Sequence, residues 1–297
     1  MSNIEAGRES SCRVRPCARV RAITGEEIHM KVLGIVGSPR REKGRTAEVV
    51  RRALAGAEAV GAATEILYLV DESPEYCAHC GHDCFGELDC AQEEAATLRS
   101  QRLGEADALV LGAPVYCWQV NGLTAALLDK VRLSTGPWTR GMRGGKPALG
   151  ITVAGGTGTG VFSALQSLYA WLCLWKFRAL EPLPVTRFNF QAALQAAKER
   201  GRQLVELSQN PQPFGDVAQL LLYYDGLPYM RYGRLEEFRW LAQRIEETIV
   251  EGQDNRDQVA VLRENLARSE ELWAQGKREE AAPFIVAAYQ AGREGWR

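Results

Sequence analysis

The sequence predicts an α/β fold in three layers: a five-stranded parallel sheet, strand order 2-1-3-4-5, with helices on both faces and a helical extension at the carboxyl end. Two observations predict it. From Lys31 to about Leu207, short apolar runs alternate with longer segments of helical period, the pattern of a parallel sheet joined by crossover helices. A Pro, Gln and Gly cluster, Gln209 to Gly215, then breaks the alternation, and the remainder reads as charged amphipathic helices. Five strands favour this order over a six-stranded dinucleotide-binding sheet.

The first 29 residues carry Arg8, Arg13, Arg15, Arg19 and Arg21 against Glu5, Glu9, Glu26 and Glu27. That balance does not fit an acidic-poor transit peptide, and the segment lacks the apolar centre of a secretory signal, so residues 1–29 read as a disordered leader. Met30 stands directly before the first strand and is an alternative start of the chain. The five strands are expected at Lys31 to Val36, Glu65 to Val70, Ala108 to Leu111, Ala148 to Val153 and, more weakly, Arg178 to Val185. Between them helices are expected at Thr46 to Val60, Glu93 to Leu103, Leu123 to Leu133, Phe162 to Trp175 and Gln191 to Leu207. Residues 30–208 thus form one domain with a cysteine-rich insertion at 71–92, and residues 209–297 the extension. Within the extension, helices are expected at Arg234 to Glu251, Asp257 to Gln275 and Lys277 to Gly292, with Gly276 as a stop. Leu272 to Ala281 faintly resembles one tetratricopeptide unit, but a single unit makes a packing hairpin rather than a peptide-binding array.

The 297 residues are 46% hydrophobic and 25% charged, enough to bury a full core. A formal charge of −1 gives no electrostatic reason to expect nucleic acid. No apolar run approaches the roughly 20 residues that cross a bilayer, so no membrane is expected and the chain reads as cytoplasmic. In that compartment its eight cysteines point to metal or redox chemistry rather than to disulfides.

Three loops carry the chemistry. The first strand runs into Gly37 to Thr46, where a helix begins, and this geometry makes a phosphate seat. Helix-terminal N–H groups, the Ser38 and Thr46 hydroxyls and the charge of Arg40 or Arg45 would suit a dianionic monophosphate. The P-loop pattern is excluded, because Pro39 stands where its first glycine is required and Arg45 replaces its lysine; the dinucleotide Gly-x-Gly-x-x-Gly fingerprint is missing too. A polar turn with a helix cap is the competing reading. The third strand ends in Gly112 to Gly122, which places Tyr116 and Trp118 at the same sheet edge to flank a planar ring, while the backbone from Val115 to Gln119 could bond its rim. Alternatively, Trp118 packs on the next helix or on a neighbouring subunit. The fourth strand ends in Ala154 to Gly160, whose four glycines permit close approach of backbone to a ligand.

Together, Gly34-Ile-Val-Gly-Ser-Pro-Arg40, Pro114-Val-Tyr-Cys-Trp118, Leu128-Asp-Lys130 and Gly155-Gly156 resemble the NADPH-dependent FMN reductase group of flavodoxin-like proteins over residues 31–207. The resemblance implies that Ser38, Arg40 and Thr46 bind the phosphate of FMN, and that Val115, Tyr116, Cys117, Trp118, Gly155 and Gly156 line its isoalloxazine. Gly44, Arg45, Pro114 and Gly158 complete the candidate set; Arg45 stands where that family usually has asparagine.

After the second strand comes Cys77-x2-Cys80-x3-Cys84-x5-Cys90, four thiols in a polar loop close enough to surround one metal centre. The run resembles that of the iron-sulfur flavoproteins, whose cysteines bind a [4Fe-4S] cluster, although their spacing is tighter. Zinc is the alternative, with His79 and His82 able to substitute as ligands but read instead as exposed or as neighbours of the ligands, and reduced thiols without metal are a third possibility. Cys173, in an apolar helix, is expected to be buried and inert. The whole reads as an FMN-dependent oxidoreductase, with NAD(P)H as donor and a cluster passing single electrons, and with no catalytic side chain of its own nominated. The competing readings are a ferredoxin-fed electron carrier and a zinc-stabilised module that binds a partner. A homodimer or homotetramer is expected, with ferredoxin or a small molecule as redox partner.

Overall fold

The computed structural model describes residues 30–84, 89–130 and 145–296. The leader lies outside the described residues, and the helix predicted to reach Leu133 ends earlier, at Asp129, with Lys130 as its cap.

The sheet is built from β1 (Lys31–Val36), β2 (Ala63–Tyr68), β3 (Ala108–Tyr116), β4 (Gln119–Val120), β5 (Pro147–Ala154), β6 (Arg178–Ala179) and β7 (Leu183–Thr186). Its path is β2-β1-β3-β5-β6, with β7 also on β5 and β4 paired to β3. This is the flavodoxin-like order. The expected parallel pairings are present, for example Gly34 opposite both Ile66 and Val110, and Leu111 opposite Gly150.

The strand count is seven rather than five. One addition is β4, which folds back antiparallel on the tip of β3 and pairs Val115 with Val120 and Tyr116 with Gln119. The other arises because the predicted fifth strand is two pieces. β6 pairs with Pro147 and Ala148, β7 with Ile151 to Ala154, and the register between them is interrupted at Glu181-Pro182. The buried hydroxyl of Tyr169 fills the interruption: it accepts from Gly150 N at 3.2 Å and donates to Leu180 O at 2.8 Å. Burial raises the pKa of this phenol far above its ordinary value, so it stays protonated.

On one face of the sheet lie α1 (Arg45–Glu58) and, after β7, α6 (Phe190–Gln209). α1 turns Val49, Val50, Ala53 and Ala57 onto Val32, Val110 and Ile151, a stripe at helical spacing against the inward residues of the strands. The other face is covered by α3 (Glu94–Glu105), α4 (Gly122–Asp129) and α5 (Val161–Leu174), with the one-turn α2 (Leu69–Glu72) leading out of β2. Apart from the early end of α4, helix positions agree with expectation to within about three residues.

A helix the sequence pattern missed, α7 (Val217–Asp225), joins this second face: Leu220 and Tyr224 are buried there, and the Tyr224 hydroxyl donates to Phe177 O at 2.7 Å. α8 (Arg234–Thr248), α9 (Arg256–Ala274) and α10 (Arg278–Gly295) form a bundle whose core of Leu241, Ile245, Leu262 and Ala288 also takes in Phe188 from the α/β portion. Gly276, at φ +73°, turns the chain between α9 and α10 as predicted. Cys173 is buried, and that burial pushes its thiol up to about 11, which keeps it protonated and unreactive. None of the described helices is long and apolar enough to cross a membrane.

Candidate functional site

The turns that leave β1, β3 and β5 open on one sheet edge and enclose a crevice of about 590 Å³. From the first turn, Ser38, Arg40, Lys43, Gly44, Arg45 and Thr46 line it. α1 starts at Arg45, with Gly44 in extended conformation as a cap that offers no side chain, so its first N–H groups have no capping partner on the preceding residue. A Cβ at Gly44 would stand 2.8 Å from Ser38 Oγ, so only glycine leaves this cradle open. The Ser38 hydroxyl is buried and accepts from Arg40 N at 3.3 Å, which curls the loop around the helix end. Arg40, Lys43 and Arg45 supply three cations, and no carboxylate lines the crevice among the described residues. Arg45 also lies over the Phe190 ring, 5.0 Å from its centroid.

Buried Asn121 ties this turn to the next. Its amide donates to Gly37 O at 2.7 Å and its carbonyl accepts from Thr124 Oγ1 at 2.6 Å, while Gly37 N reaches Gly112 O at 2.8 Å. The second turn is the β3–β4 hairpin, which brings Pro114, Val115, Tyr116, Cys117 and Trp118 to the crevice. Cys117 and Trp118 are its two central residues, at φ +48° and +68°, a conformation that suits the twist of the hairpin and strains any residue with a Cβ. Tyr116 is 49% exposed at the mouth. Trp118 lines the crevice and also packs on the start of α5, where a Cβ at Gly160 would stand 2.4 Å from Trp118 Cα; Arg234 lies over its ring at 5.4 Å. Trp118 thus meets the start of α5 rather than the next helix, α4.

From the third turn come Gly155, Thr157 and Thr159, with Val153 and Ala154 at the end of β5. Gly156 and Gly158, also candidates, are not among the lining residues. Gly158, at φ +80°, faces away from the crevice, where a Cβ would stand 2.9 Å from Leu241 of α8. The back of this turn is gripped by the extension. The carboxylate of Glu237, only 2% exposed, accepts from Gly160 N at 2.7 Å and Phe162 N at 2.8 Å, and the Tyr289 hydroxyl donates to Thr157 O at 3.0 Å. Burial raises the Glu237 pKa, and the two N–H bonds and nearby Arg234 offset only part of that.

The four candidate metal ligands lie on the loop between α2 and α3. Cys77, Cys80, Cys84 and Cys90 all line one pocket of about 220 Å³, together with His79, His82 and Lys130. Burial raises the Cys84 pKa, and the neighbouring Cys90, Cys80 and Cys77 add to the shift, which favours its protonated thiol. Among the described residues no three His, Cys, Asp or Glu side chains stand close enough to hold one metal ion. What fits a metal centre is the donor set: four cysteines lining one pocket. His82 pairs with Asp89 at 2.5 Å. Both stems of the loop are anchored, since Glu93 pairs with Arg99 and Lys130, and Glu72 with Arg99 and Arg102.

Sequence reasoning named eleven of the crevice residues and missed Lys43, Val153, Ala154, Thr157 and Thr159, which share the same loops. Glu237 and Tyr289 were missed for a different reason: they touch the loops from other elements, and no local pattern marks them; Asn121 lies within the second loop, but its bond to Gly37 O is long-range and carries no sequence mark.

A family model described as NADPH-dependent FMN reductase matches residues 30–187, more than half of the chain. The chain belongs to the NADPH-dependent FMN reductase family. Among relatives of this FMN reductase-family chain is an iron-sulfur flavoprotein of Methanocaldococcus jannaschii, 37% identical over 131 residues, covering 44% of this chain and 67% of the relative. A second iron-sulfur flavoprotein of that organism is 29% identical over 180 residues, covering 60% and 87%. Among solved structures, an azoreductase from Bacillus anthracis str. Sterne superposes with a TM-score of 0.48 at 18% identity, over 59% of this chain and 99% of its own. The family match ends at Thr186-Arg187, so Glu237, Leu241 and Tyr289 reach the third turn from outside it.

Proposed function

We propose that the crevice binds FMN, that the chain is an oxidoreductase taking electrons from NAD(P)H, and that Cys77, Cys80, Cys84 and Cys90 hold a [4Fe-4S] cluster. The observation that carries the flavin reading is the polarity of the crevice. At one end stand three cations and an uncapped helix start, and at the other an aromatic hairpin and a glycine turn. A phosphate suits the first and a flat ring the second. The relatives named iron-sulfur flavoprotein, together with the four-sulfur pocket, support the cluster.

When bound, FMN supplies two-electron acceptance and a cluster one-electron transfer. The chain's own residues bind and orient. Ser38 and Thr46 hydroxyls and the N–H groups at the start of α1 would hold the phosphate, with Arg40 and Lys43 neutralising it. The Val115 to Trp118 hairpin would meet the ring on one side and Gly155 to Thr159 on the other, leaving the mouth beside Tyr116 for the donor. The cysteines would replace water around the metal with sulfur, which is why they belong in one shared pocket.

The test is an anaerobic preparation analysed for flavin, iron, sulfide and zinc alongside its absorption spectrum. Stoichiometric FMN and about four iron atoms per chain are expected, with bleaching of the flavin band when NADPH or NADH is added. A colourless protein that does not take up supplied FMN overturns the flavin reading. Zinc without iron overturns the cluster, and a flavin that neither nucleotide bleaches overturns the donor.

A further inference from the structure

We propose that the carboxyl-terminal extension is part of the flavin site, with Glu237 a positioning residue that holds the third turn from behind so that FMN binding and docking of the extension reinforce each other. This rests on the reading that the crevice takes FMN.

The contacts alternate along the turn. Thr157 and Thr159 line the crevice, while the Thr157 carbonyl, Gly158, Gly160 N and Phe162 N are each taken from the opposite side by Tyr289, Leu241 and Glu237. The same helix that carries Glu237 places Arg234 over the ring of Trp118, so one rigid element braces two of the three turns. Phe162 is locked in turn by Tyr229, stacked at 4.7 Å, and by Trp240 at 5.2 Å.

This arrangement matters because of what the turn is made of. Gly156, Gly158 and Gly160 all have positive φ, and a segment this rich in glycine loses much backbone entropy when it is fixed. Without the extension, a ligand would have to order the turn at the expense of its own affinity; with it, the turn is ordered beforehand. Linkage then requires the converse, that bound ligand hold the extension more tightly.

The experiment uses the full chain and two probes, FMN and riboflavin, titrated by flavin fluorescence, with hydrogen exchange recorded with and without FMN. Glu237→Ala is expected to raise the Kd for both flavins by about the same factor, about tenfold, because the loss lies on the ring side and riboflavin lacks only the phosphate. Glu237→Asp should restore part of the affinity, and Tyr289→Phe should show a smaller loss. In the wild type, FMN should slow exchange in α8 and α10 as well as in the turn. A folded Glu237→Ala protein with unchanged Kd for both flavins overturns the proposal, since a purely structural residue would lower the melting temperature alone. If that variant does not fold, the exchange measurement decides: FMN that leaves α8 and α10 unprotected overturns it. A wild type that binds neither flavin overturns the FMN reading, and this inference with it.

Discussion

Glu93 shows how much one side chain can hold. It leads into α3 and bonds both Arg99 and Lys130, and through them it fixes the far stem of the cysteine loop to α3 and α4. Burial alone would raise its pKa, but the bonds from Lys130 and Arg99 outweigh this and hold it below the ordinary carboxylate range. Its contribution to stability is therefore present above the unfolded-state pKa, about 4.5, and is lost as pH falls through the depressed folded value. Glu237 has the opposite sign, because its raised pKa favours the folded state in acid and the benefit disappears as pH rises through that value. We expect Glu93→Gln to lower the urea midpoint at pH 7 and to lose that deficit at about pH 3, below the window in which Glu93 gives up its contribution, as equilibrium unfolding of both proteins at both pH values would measure. Residues of this kind were half visible in the sequence. Cys77 to Cys90 announced themselves by spacing, whereas the ions that anchor their loop look like ordinary surface charge until the fold brings them together.

At the scale of elements, the strands and helices of the α/β portion were legible because strands buried on both faces read as short continuous apolar runs and helices carry a period of about 3.6. What escaped was made by contacts. β4 is two residues long, and its hairpin uses Cys117 and Trp118 at positive φ where Asn-Gly would have advertised the turn. The division between β6 and β7 depends on a hydroxyl eleven residues before Leu180, on the facing helix. Tyr169→Phe keeps the ring and removes that hydroxyl, leaving Gly150 N–H and Leu180 C=O unpaired in the core. The expected cost is about 1–3 kcal/mol, measured by chemical denaturation, and the variant should remain folded. The opposite result, no loss of stability, would mean that the two edge strands close up without the bridge.

For the molecule as a whole, the sequence placed a boundary after residue 208, yet α7 and α8 both complete surfaces that precede it. Leu220 and Tyr224 fill the sheet face beside Tyr169, and Leu241 packs with Phe188. A chain ending at 208 would bare these contacts and leave the N–H groups of Gly160 and Phe162 without Glu237. It is expected to melt lower than the full chain and to aggregate on heating, which calorimetry and light scattering would show. The positions of Glu237 and Tyr289 explain why the sequence could not disclose this, since their partners lie 77 and 132 residues earlier. The divided sheet margin has a consequence of its own. An intact outer strand is a template on which foreign chains can polymerise, but here the margin presents fragments of two and four residues, one containing Pro184 with no N–H to offer. With a phenol plugging the gap, an intruder finds no continuous ladder to extend, and that side of the sheet is guarded against fibril growth.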